Sequence, residues 1–366
     1  MKFTINQITL LKHLKIINNL LIKNRKYPIL ENILIEINNG ELFLTSTNLD
    51  TEIITKTKKI YNIIDGKTTL SGRKLLNICR SINKNTNIKF ILIKYKMHVF
   101  TENSKCIIST LPYENFPKIN SKKNKINFCL IENELKYMIF KTQFSMGLAD
   151  VRYYINGMLL EIKNNTLFIV TTDGFRLSLC SKKIKNVFKN HHIIIPRKSI
   201  LELYKILNQN SKKKINLYIG KKNISIYIGK IIFISKLLEG KFPDYISVLL
   251  KKIKYKTTIN ANILKKSLLR ASIFCHEKFN GVKIKIKNNV CNITANNQEE
   301  KIKEKIQTIE NKKNFEITVN VYYLLDILSV FKEENISFSL FKKNSKMQIL
   351  EKNHFLSIYI IMPINL

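Results

Sequence analysis

The chain has 366 residues, 63 Lys plus Arg against 26 Asp plus Glu, a formal net charge of +37, and 45% hydrophobic residues. That length and apolar content exceed one ordinary core and predict two or three domains. No apolar run approaches the roughly 20 residues that span a bilayer, and the opening MKFTINQITLLKHL lacks a small-residue cleavage site, so no transmembrane helix or signal peptide is expected and the cytosol is the default compartment.

In chain order, ITLLKHLKIINNLLIKN has helical periodicity, and ILIEINNGELFLTSTNLDTEI reads as two alternating strands joined through an Asn-Gly turn. A second helix, GRKLLNICRSIN, opens on an Arg-Lys pair and is followed by FPKI, before the lysine-rich SKKNK near residue 125. The pattern then restarts. ENELKYMIFKTQFSM is helical, GMLLEIKNNTLFIVTTDGFRLSL alternates, PRKSILELYKILNQN repeats the Arg-Lys helix start, and FPDY echoes FPKI. After LKKIKYK, near residue 253, a third copy runs ANILKKSLLRASIFCHE, VKIKIKNNVCNITANNQEEKI and VYYLLDILSVFK, this time without the Arg-Lys pair. A period near 125 residues is that of duplicated domains rather than of a solenoid. The fold expected is α+β: three similar domains at 1–125, 126–253 and 254–366, each of two helix-plus-antiparallel-strands units. Open antiparallel sheets have edges to satisfy, so three such domains in series are expected to join edge to edge into a continuous sheet, with the helices gathered on one face.

The charge needs care, because Lys, Ile and Asn, all encoded by A- and T-rich codons, dominate everywhere. All but seven of the basic residues are lysines. Placement therefore matters more than the sum. The helices carry Lys12, Lys15 and Lys23; Arg73, Lys74 and Arg80; Lys136 and Lys141; Arg197, Lys198 and Lys205; and Lys265, Lys266 and Arg270, against few acids, chiefly Glu134, Glu202 and Asp326. On one helix this is a solvated face. Repeated on five, it suits non-specific, salt-sensitive contact with the phosphates of duplex DNA.

Enzyme signatures are missing. The ten glycines form neither GxGxxG nor GxxxxGK[ST], the six histidines show no HExxH spacing, and the aspartates give no DxD pair. His191 and His192 open a strand as a partly exposed pair. Six single cysteines without a CxxC argue against zinc and disulfides and read as reduced fillers of apolar positions. Neither catalysis, nor a metal, nor a cofactor is expected; a nucleic-acid enzyme and a monomeric basic binder are the weaker alternatives to a repeat protein that handles DNA.

Several stretches together carry a resemblance: MKFTI, TQFSMGLADVRYYINGMLLE, TTDGFRLSL, IIIPRKSILEL, SKLLEGKFPDY, HEKFNGV, ITANN and the terminal IMPINL. Over the whole chain they resemble the bacterial sliding clamps, the beta subunits of DNA polymerase III. The resemblance implies a head-to-tail homodimeric ring of six similar domains, each chain forming half, with twelve helices around duplex DNA. It also implies a non-catalytic processivity factor in the cytoplasm, associated with the nucleoid during replication. The partners implied are the polymerase III catalytic subunit, the clamp loader, and repair polymerases, ligase and mismatch-repair proteins.

Three residue sets follow from it. Those matching DNA-contacting positions are Arg73, Arg80, Arg152, Tyr153, Tyr154, Arg197 and Lys198, with Arg25 one residue from an arginine of relatives; Leu148 and Ala149 replace polar residues of the same loop. One of Tyr153 and Tyr154 could instead pack in a strand. The second set is a cleft between the second and third domains that takes a partner peptide: Ile155, Thr172, Gly174, Phe175, Arg176, Leu177, Pro243, Val248, Asn320, Tyr323, Ile360, Met362, Pro363 and Leu366. There Arg176 offers either a donor fork to a peptide carbonyl or carboxylate, or a pair with a nearby acid such as Asp173. Phe175 stands for a histidine and Asn365 for an arginine, which makes the outer pocket less polar. The third set is the dimer contact. KCIIST at 105–110 reads as a free edge strand whose partner is NQEEKIKEK, so that Ile107 or Ile108 meets Ile273 and Phe274, and Lys74 and Lys105 face Glu299, Glu300 and Glu304. Cys106 stands where relatives carry a larger apolar residue.

Overall fold

A computed structural model describes residues 1–21, 26–119, 126–184, 190–250, 252–276, 279–297, 299–342, 345–352 and 354–364. Six α-helices occur among them: α1 (Gln7–Ile17), α2 (Gly72–Ser81), α3 (Glu132–Thr142), α4 (Arg197–Ile206), α5 (Ala261–Ile273) and α6 (Val321–Val330). A strand feeds directly into each helix. At four of the six junctions an Asn or Ser holds the first turn: Asn6, Asn260 and Asn320 each accept an N–H of the first turn through Oδ1, and Ser71 Oγ accepts from Lys74 N–H.

Three antiparallel strands follow every helix, one more than the sequence pattern suggested. The first two are joined where expected. Asn39-Gly40, Asn164-Asn165 and Asn288-Asn289 form the three turns, all with positive φ, the backbone that a two-residue hairpin demands and that Asn and Gly adopt most cheaply. The third strands, Thr51–Thr57, Arg176–Lys183 and Lys301–Gln307, begin only a few residues after the second strands end. Asp173-Gly174 marks the break in the second copy, but Asn48-Leu49-Asp50 in the first and Asn297 with Glu299 and Glu300 in the third carry no Asn-Gly or Asp-Gly signal, so there the two strands read as one.

The chain divides into two compact units, Met1–Leu135 with Leu201–Leu237, and Lys136–Ile200 with Leu238–Leu366. The central third thus contributes to both, for a reason visible in the strand pairing. In the first unit, strand Ile231–Lys236 continues the sheet by pairing with Thr51–Thr57, from Ile231 opposite Thr55 to Ser235 opposite Thr51, giving a sheet of 13 strands. In the second, Leu356–Ile361 pairs with Arg176–Lys183, from Leu356 opposite Ser181 to Ile361 opposite Arg176, giving one of 9. The edges of successive repeats are thus satisfied by one another at two junctions, but the one continuous sheet expected from the sequence is not formed: the strands fall into separate sheets. A separate four-stranded sheet in the second unit ends on strand Lys301–Gln307.

Each unit buries an apolar layer between helices and sheet. In the second, Leu264 and Leu268 of α5 and Leu324 and Ile327 of α6 lie on Val282, Ile284, Ile293 and Phe338. In the first, Leu10, Leu14 and Ile17 of α1 and Leu75 and Cys79 of α2 are buried, and Phe3 stacks on Phe90 at 4.6 Å. His13 of α1 is buried as well. Burial foremost, then Lys230 and Lys12, pushes its pKa down from 6.5 to about 4. The folded state therefore holds the neutral imidazole, and protonation favours unfolding: stability is complete above the unfolded pKa and falls as the pH drops from about 6.5 to about 4, by roughly 3 kcal/mol at most. Urea unfolding across that range checks this, with His13→Gln expected to flatten the dependence.

Lys141 corrects the expectation for the helix cations. Rather than facing phosphate, it is fully buried. Its Nζ donates to Val330 O at 2.6 Å and to both oxygens of Glu351 at 2.8 and 2.5 Å. Its position on α3, beside buried Met138 and Thr142, turns it into the core of the second unit, where an ammonium is tolerated only with such partners. Lys12, Lys15, Arg73, Lys74, Arg80, Lys198, Lys266 and Arg270 are exposed, and Lys23 lies outside the described residues.

Candidate functional site

The turn between strands Thr166–Thr172 and Arg176–Lys183 is organised by two side chains. Asp173 Oδ1 accepts the N–H groups of Phe175 and Arg176, both at 3.0 Å, while Thr172 Oγ1 accepts from Gly174 N–H at 3.0 Å and donates to Arg176 O at 2.6 Å. The same device recurs in the other two repeats. Asn48 Oδ1 accepts from Asp50 and Thr51, and Asn297 Oδ1 from Glu299 and Glu300. In the first copy the position of Gly174 is taken by Leu49, also at positive φ (77°), so the turn itself does not require glycine. At 174 the backbone, with φ of 92°, favours glycine as it does at Leu49, and here a neighbour also comes close. A Cβ added there would lie 2.9 Å from Nη2 of Arg152, whose guanidinium is held over the turn by Asp150 through Nε–Oδ1 and Nη2–Oδ2 contacts of 3.0 Å.

Arg176 pairs with the acid. Nε donates to Asp173 Oδ2 at 2.9 Å, Nη1 to Asp326 Oδ2 at 2.5 Å and Nη2 to Phe144 O at 2.8 Å, while the guanidinium lies 4.4 Å from the Tyr323 ring centroid. The fork is turned inward and all three nitrogens are engaged, so the expectation of a donor held ready for a peptide is corrected. Asp326 lies 150 residues away in sequence, and only the fold brings it to the turn. What Arg176 does is tie the turn to α6 and to the segment after α3, which positions its apolar neighbours.

Those neighbours form one cluster: Leu159, Val170, Leu177, Leu179, Ile194, Phe242, Tyr245, Ile358 and Ile360, with Tyr154, Val248 and Leu249 packed against it. Leu177, Val248 and Ile360 of the cleft set are thereby brought together. Ile155 and Thr172 are buried beside the turn, Asn320 caps α6, and Pro243 is exposed. Phe175 is 63% exposed, an apolar ring offered to solvent. Met362 donates its N–H to Phe175 O at 2.9 Å and Ile364 donates to Thr318 O at 2.8 Å, so the tail runs across the end of the turn with Pro363 half-buried; Leu366 and Asn365 lie outside the described residues. Tyr245, whose hydroxyl bonds the Glu161 carboxylate, and Phe242 were missed by sequence reasoning, although FPDY was itself a signal. Tyr153 and Tyr154 sit in a short 3-10 turn, not in a strand: Tyr154 joins the cluster and Tyr153 is exposed, edge-on to it at 5.8 Å.

The arginines at the two Arg-Lys helix starts share a contact. Arg73 donates to Leu21 O at 2.8 Å and Arg197 to Met146 O at 2.7 Å, each carbonyl lying just beyond the 3-10 turn that ends the preceding helical segment. Part of each guanidinium is thus structural. Arg80 and Lys198 are exposed, and Arg25 lies outside the described residues.

At the expected dimer edge, strand Lys105–Leu111 pairs through residues 105–109 with Lys96–Phe100, but with Gly66–Ser71 only at Thr110 and Leu111. Residues 105–109 keep one open edge. Of the two isoleucines, Ile107 is 55% exposed and Ile108 only 5%, so Ile107 points outward and Ile108 into the core. Strand Lys301–Gln307 pairs only with Val290–Asn296. Ile273, at the end of α5, is 74% exposed and Phe274 is half-buried. Lys74, Lys105, Glu299 and Glu300 are exposed. Glu304 is already engaged, by Arg270 at 2.8 and 2.6 Å and by Ser267 at 3.1 Å, and Arg270 holds its carboxyl below the usual carboxylate range.

Sequence models of the DNA polymerase III beta subunit match three consecutive pieces of the chain: the N-terminal domain at residues 1–120, the central domain at 130–244 and the C-terminal domain at 247–365. The chain belongs to the DNA polymerase III beta subunit family. Among family relatives, a beta sliding clamp of Buchnera aphidicola subsp. Rhopalosiphum padi is 48% identical over 363 residues, 99% of each chain, and that of Escherichia coli K12 is 36% identical over 367 residues, 100% of each. A crystal structure of the beta subunit from Pseudomonas aeruginosa superposes with a TM-score of 0.96 at 35% identity, covering 100% of both chains. Another from that organism, bound to griselimycin, gives 0.94 at 34%, again over 100% of both.

Proposed function

We propose that two copies of this beta subunit close head to tail into a ring that encircles duplex DNA and, without catalysis or a cofactor of its own, tethers the replicative polymerase. The observation that carries the reading is the pair of open edges at residues 105–109 and 301–307, because the chain already contains two junctions of the kind they would make. Counting from the helix starts and hairpin turns that every repeat shares, Ile107 corresponds to Ile234 and Ile360, and Lys301 to Glu52 and Leu177. Since Ile234 pairs with Glu52 and Ile360 with Leu177, Ile107 of one copy is set opposite Lys301 of the other. The same count sets Cys106 opposite Ile302, Ile108 opposite Glu300, Ser109 opposite Glu299 and Lys105 opposite Lys303. Inward-facing Ile108 and Cys106 then meet Ile302 and Phe274. Lys74 keeps Glu299 and Glu300 as partners, but Lys105 gains a like charge.

The three domains are assigned to 1–125, 126–253 and 254–366, boundaries supported by the strands that begin at Ile126 and Tyr255. Exposed Arg80, Lys198 and Tyr153, with the free part of Arg73, Arg152 and Arg197, supply phosphate contacts on the DNA side, joined by Arg25. The cluster around Leu177, Val248 and Ile360, closed by Met362, Pro363 and Leu366, receives the apolar anchors of a peptide from the polymerase III catalytic subunit; Arg176, Tyr323 and Gly174 fix its wall and Phe175 its rim. The clamp loader, repair polymerases, ligase and mismatch-repair proteins are assigned to the same cleft, and the cytoplasm and nucleoid are the expected location.

Sedimentation tests the dimer. The protein is expected at twice the mass of one chain, and Lys303→Glu, which replaces a cross-strand repulsion by an attraction, is expected to tighten it at low salt by about 1 kcal/mol per interface. A monomer at micromolar concentration, or a dimer weakened by Lys303→Glu, contradicts the assignment.

A further inference from the structure

The four-stranded sheet of the second unit alternates cleanly. Val282, Ile284, Ile286, Cys291, Ile293 and Ala295 face the core, against which α5 lies. The opposite face carries Lys283, Lys285 and Lys287 on one strand and Lys301, Lys303 and Lys305 on another, all exposed, with half-buried Asn292 and Thr294 between them. Register aligns the two rows: Lys283, Thr294 and Lys303 lie in one line across the strands, and Lys285, Asn292 and Lys305 in the next. Strand spacing puts the rows about 10 Å apart and successive lysines of a row about 7 Å apart. One acid intervenes, Glu316, whose carboxylate pairs with Lys283 at 2.6 Å and lies 3.8 Å from Lys285.

A lysine-rich composition does not account for this face, because the repeats offer two internal comparisons. The corresponding face of the first repeat carries Glu36, Glu41 and Glu52 with Lys56 and Lys67, and Glu36 and Glu52 accept from Lys118 and from the N–H of Ile119 in the segment laid over it. That of the second repeat is the apolar cluster around Leu177, with Phe242 and Tyr245 packed into it. Only in the third repeat does the face stand as two rows of like charge, which repel one another in the free protein and are relieved by a counter-charge.

We propose that this face binds the phosphate backbone of duplex DNA lying outside the ring, without sequence preference. Lysine ammonium groups act on phosphates as point charges, and neither an arginine fork nor an aromatic platform stands in the two rows to favour carboxylates or unstacked bases. The inference takes the ring of the proposed function for what counts as outside; the binding itself follows from the charge placement.

The test uses a short duplex blocked at both ends by streptavidin, which cannot be threaded through a ring. The full-length protein is expected to bind it with a steep salt dependence. In the quadruple variant Lys283→Gln, Lys285→Gln, Lys303→Gln and Lys305→Gln, with fold checked by circular dichroism, low-salt affinity should fall about tenfold or more. The slope of log K against log salt should flatten by about 3 to 4. Arg80→Ala with Lys198→Ala should leave blocked-duplex binding unchanged. Equal binding by wild type and quadruple variant, a loss that follows Arg80 and Lys198 instead, or tighter binding of poly-glutamate or anionic vesicles than of the duplex would each overturn the proposal.

Discussion

Lys141→Ala is expected to lower the unfolding free energy by about 3–5 kcal/mol, the largest single-residue effect anticipated in this protein. The loss comes less from the missing ammonium than from what it leaves behind. Glu351 is as buried as Lys141, and among the described residues its carboxylate otherwise accepts only the N–H of Lys332 at 3.1 Å and a distant Tyr359 hydroxyl at 3.5 Å. Val330 O loses its donor as well. An unpaired carboxylate in that setting costs several kcal/mol, whereas removing both charges together restores most of the loss, since an apolar pair of similar volume fills the same space. Urea unfolding of Lys141→Ala, and of Lys141→Met combined with Glu351→Met, separates the two. A single variant that loses less than about 1 kcal/mol would show that water reaches the pair in solution.

Removing residues 362–366 is expected to abolish binding of a peptide from the polymerase catalytic subunit while leaving the folded chain and its dimer intact. In the proposed cleft the tail supplies Met362 and Pro363 to the closing wall, and among the described residues it is attached by two backbone hydrogen bonds, to Phe175 O and Thr318 O. The strand before it, Leu356–Ile361, keeps its pairing on both sides, so no core is opened. Met362→Ala alone should cost about 1–3 kcal/mol of peptide affinity, roughly 5- to 150-fold. Leu177→Ala is a poorer probe, because Leu177 is buried in the cluster floor and its truncation also destabilises the fold. Calorimetric titration of the three proteins distinguishes the outcomes; a truncated chain that binds with unchanged affinity places the site elsewhere.

Much of the fold was legible because the repeats speak three times. Three Asn-rich hairpin turns and three helices entered through an Asn cap carry local signals strong enough to read without partners. The third strand of the first and third copies was not legible, since the Asx turn before it is built by Asn48 or Asn297 and, in the first copy, accommodates Leu49 where the second copy has Gly174. At the site, Leu177 and Ile360, named together with Val248 from the sequence, lie in one cluster against which Val248 packs. Charged residues were legible only in part, the Arg176–Asp173 pair as one of two alternatives and the burial of Lys141 not at all, because a cation's role depends on partners remote in sequence. Arg176 finds Asp326, and Lys141 finds Glu351, 210 residues on. Helical periodicity states that Lys141 stands among apolar neighbours; it does not state that a carboxylate will arrive opposite.

The central claim is enclosure, and its most direct test is retention. In salt high enough to release the phosphate contacts of both the DNA side and the lysine face, protein loaded onto a nicked circular duplex and separated from free chain by gel filtration is expected to stay with the DNA, then to be lost when a single restriction cut linearises the circle, because only topology then holds it. Adding salt should change this little while the circle remains closed, since phosphate contacts are not what retains it. Equal loss from circular and linear DNA, or retention on the cut duplex, would contradict the ring.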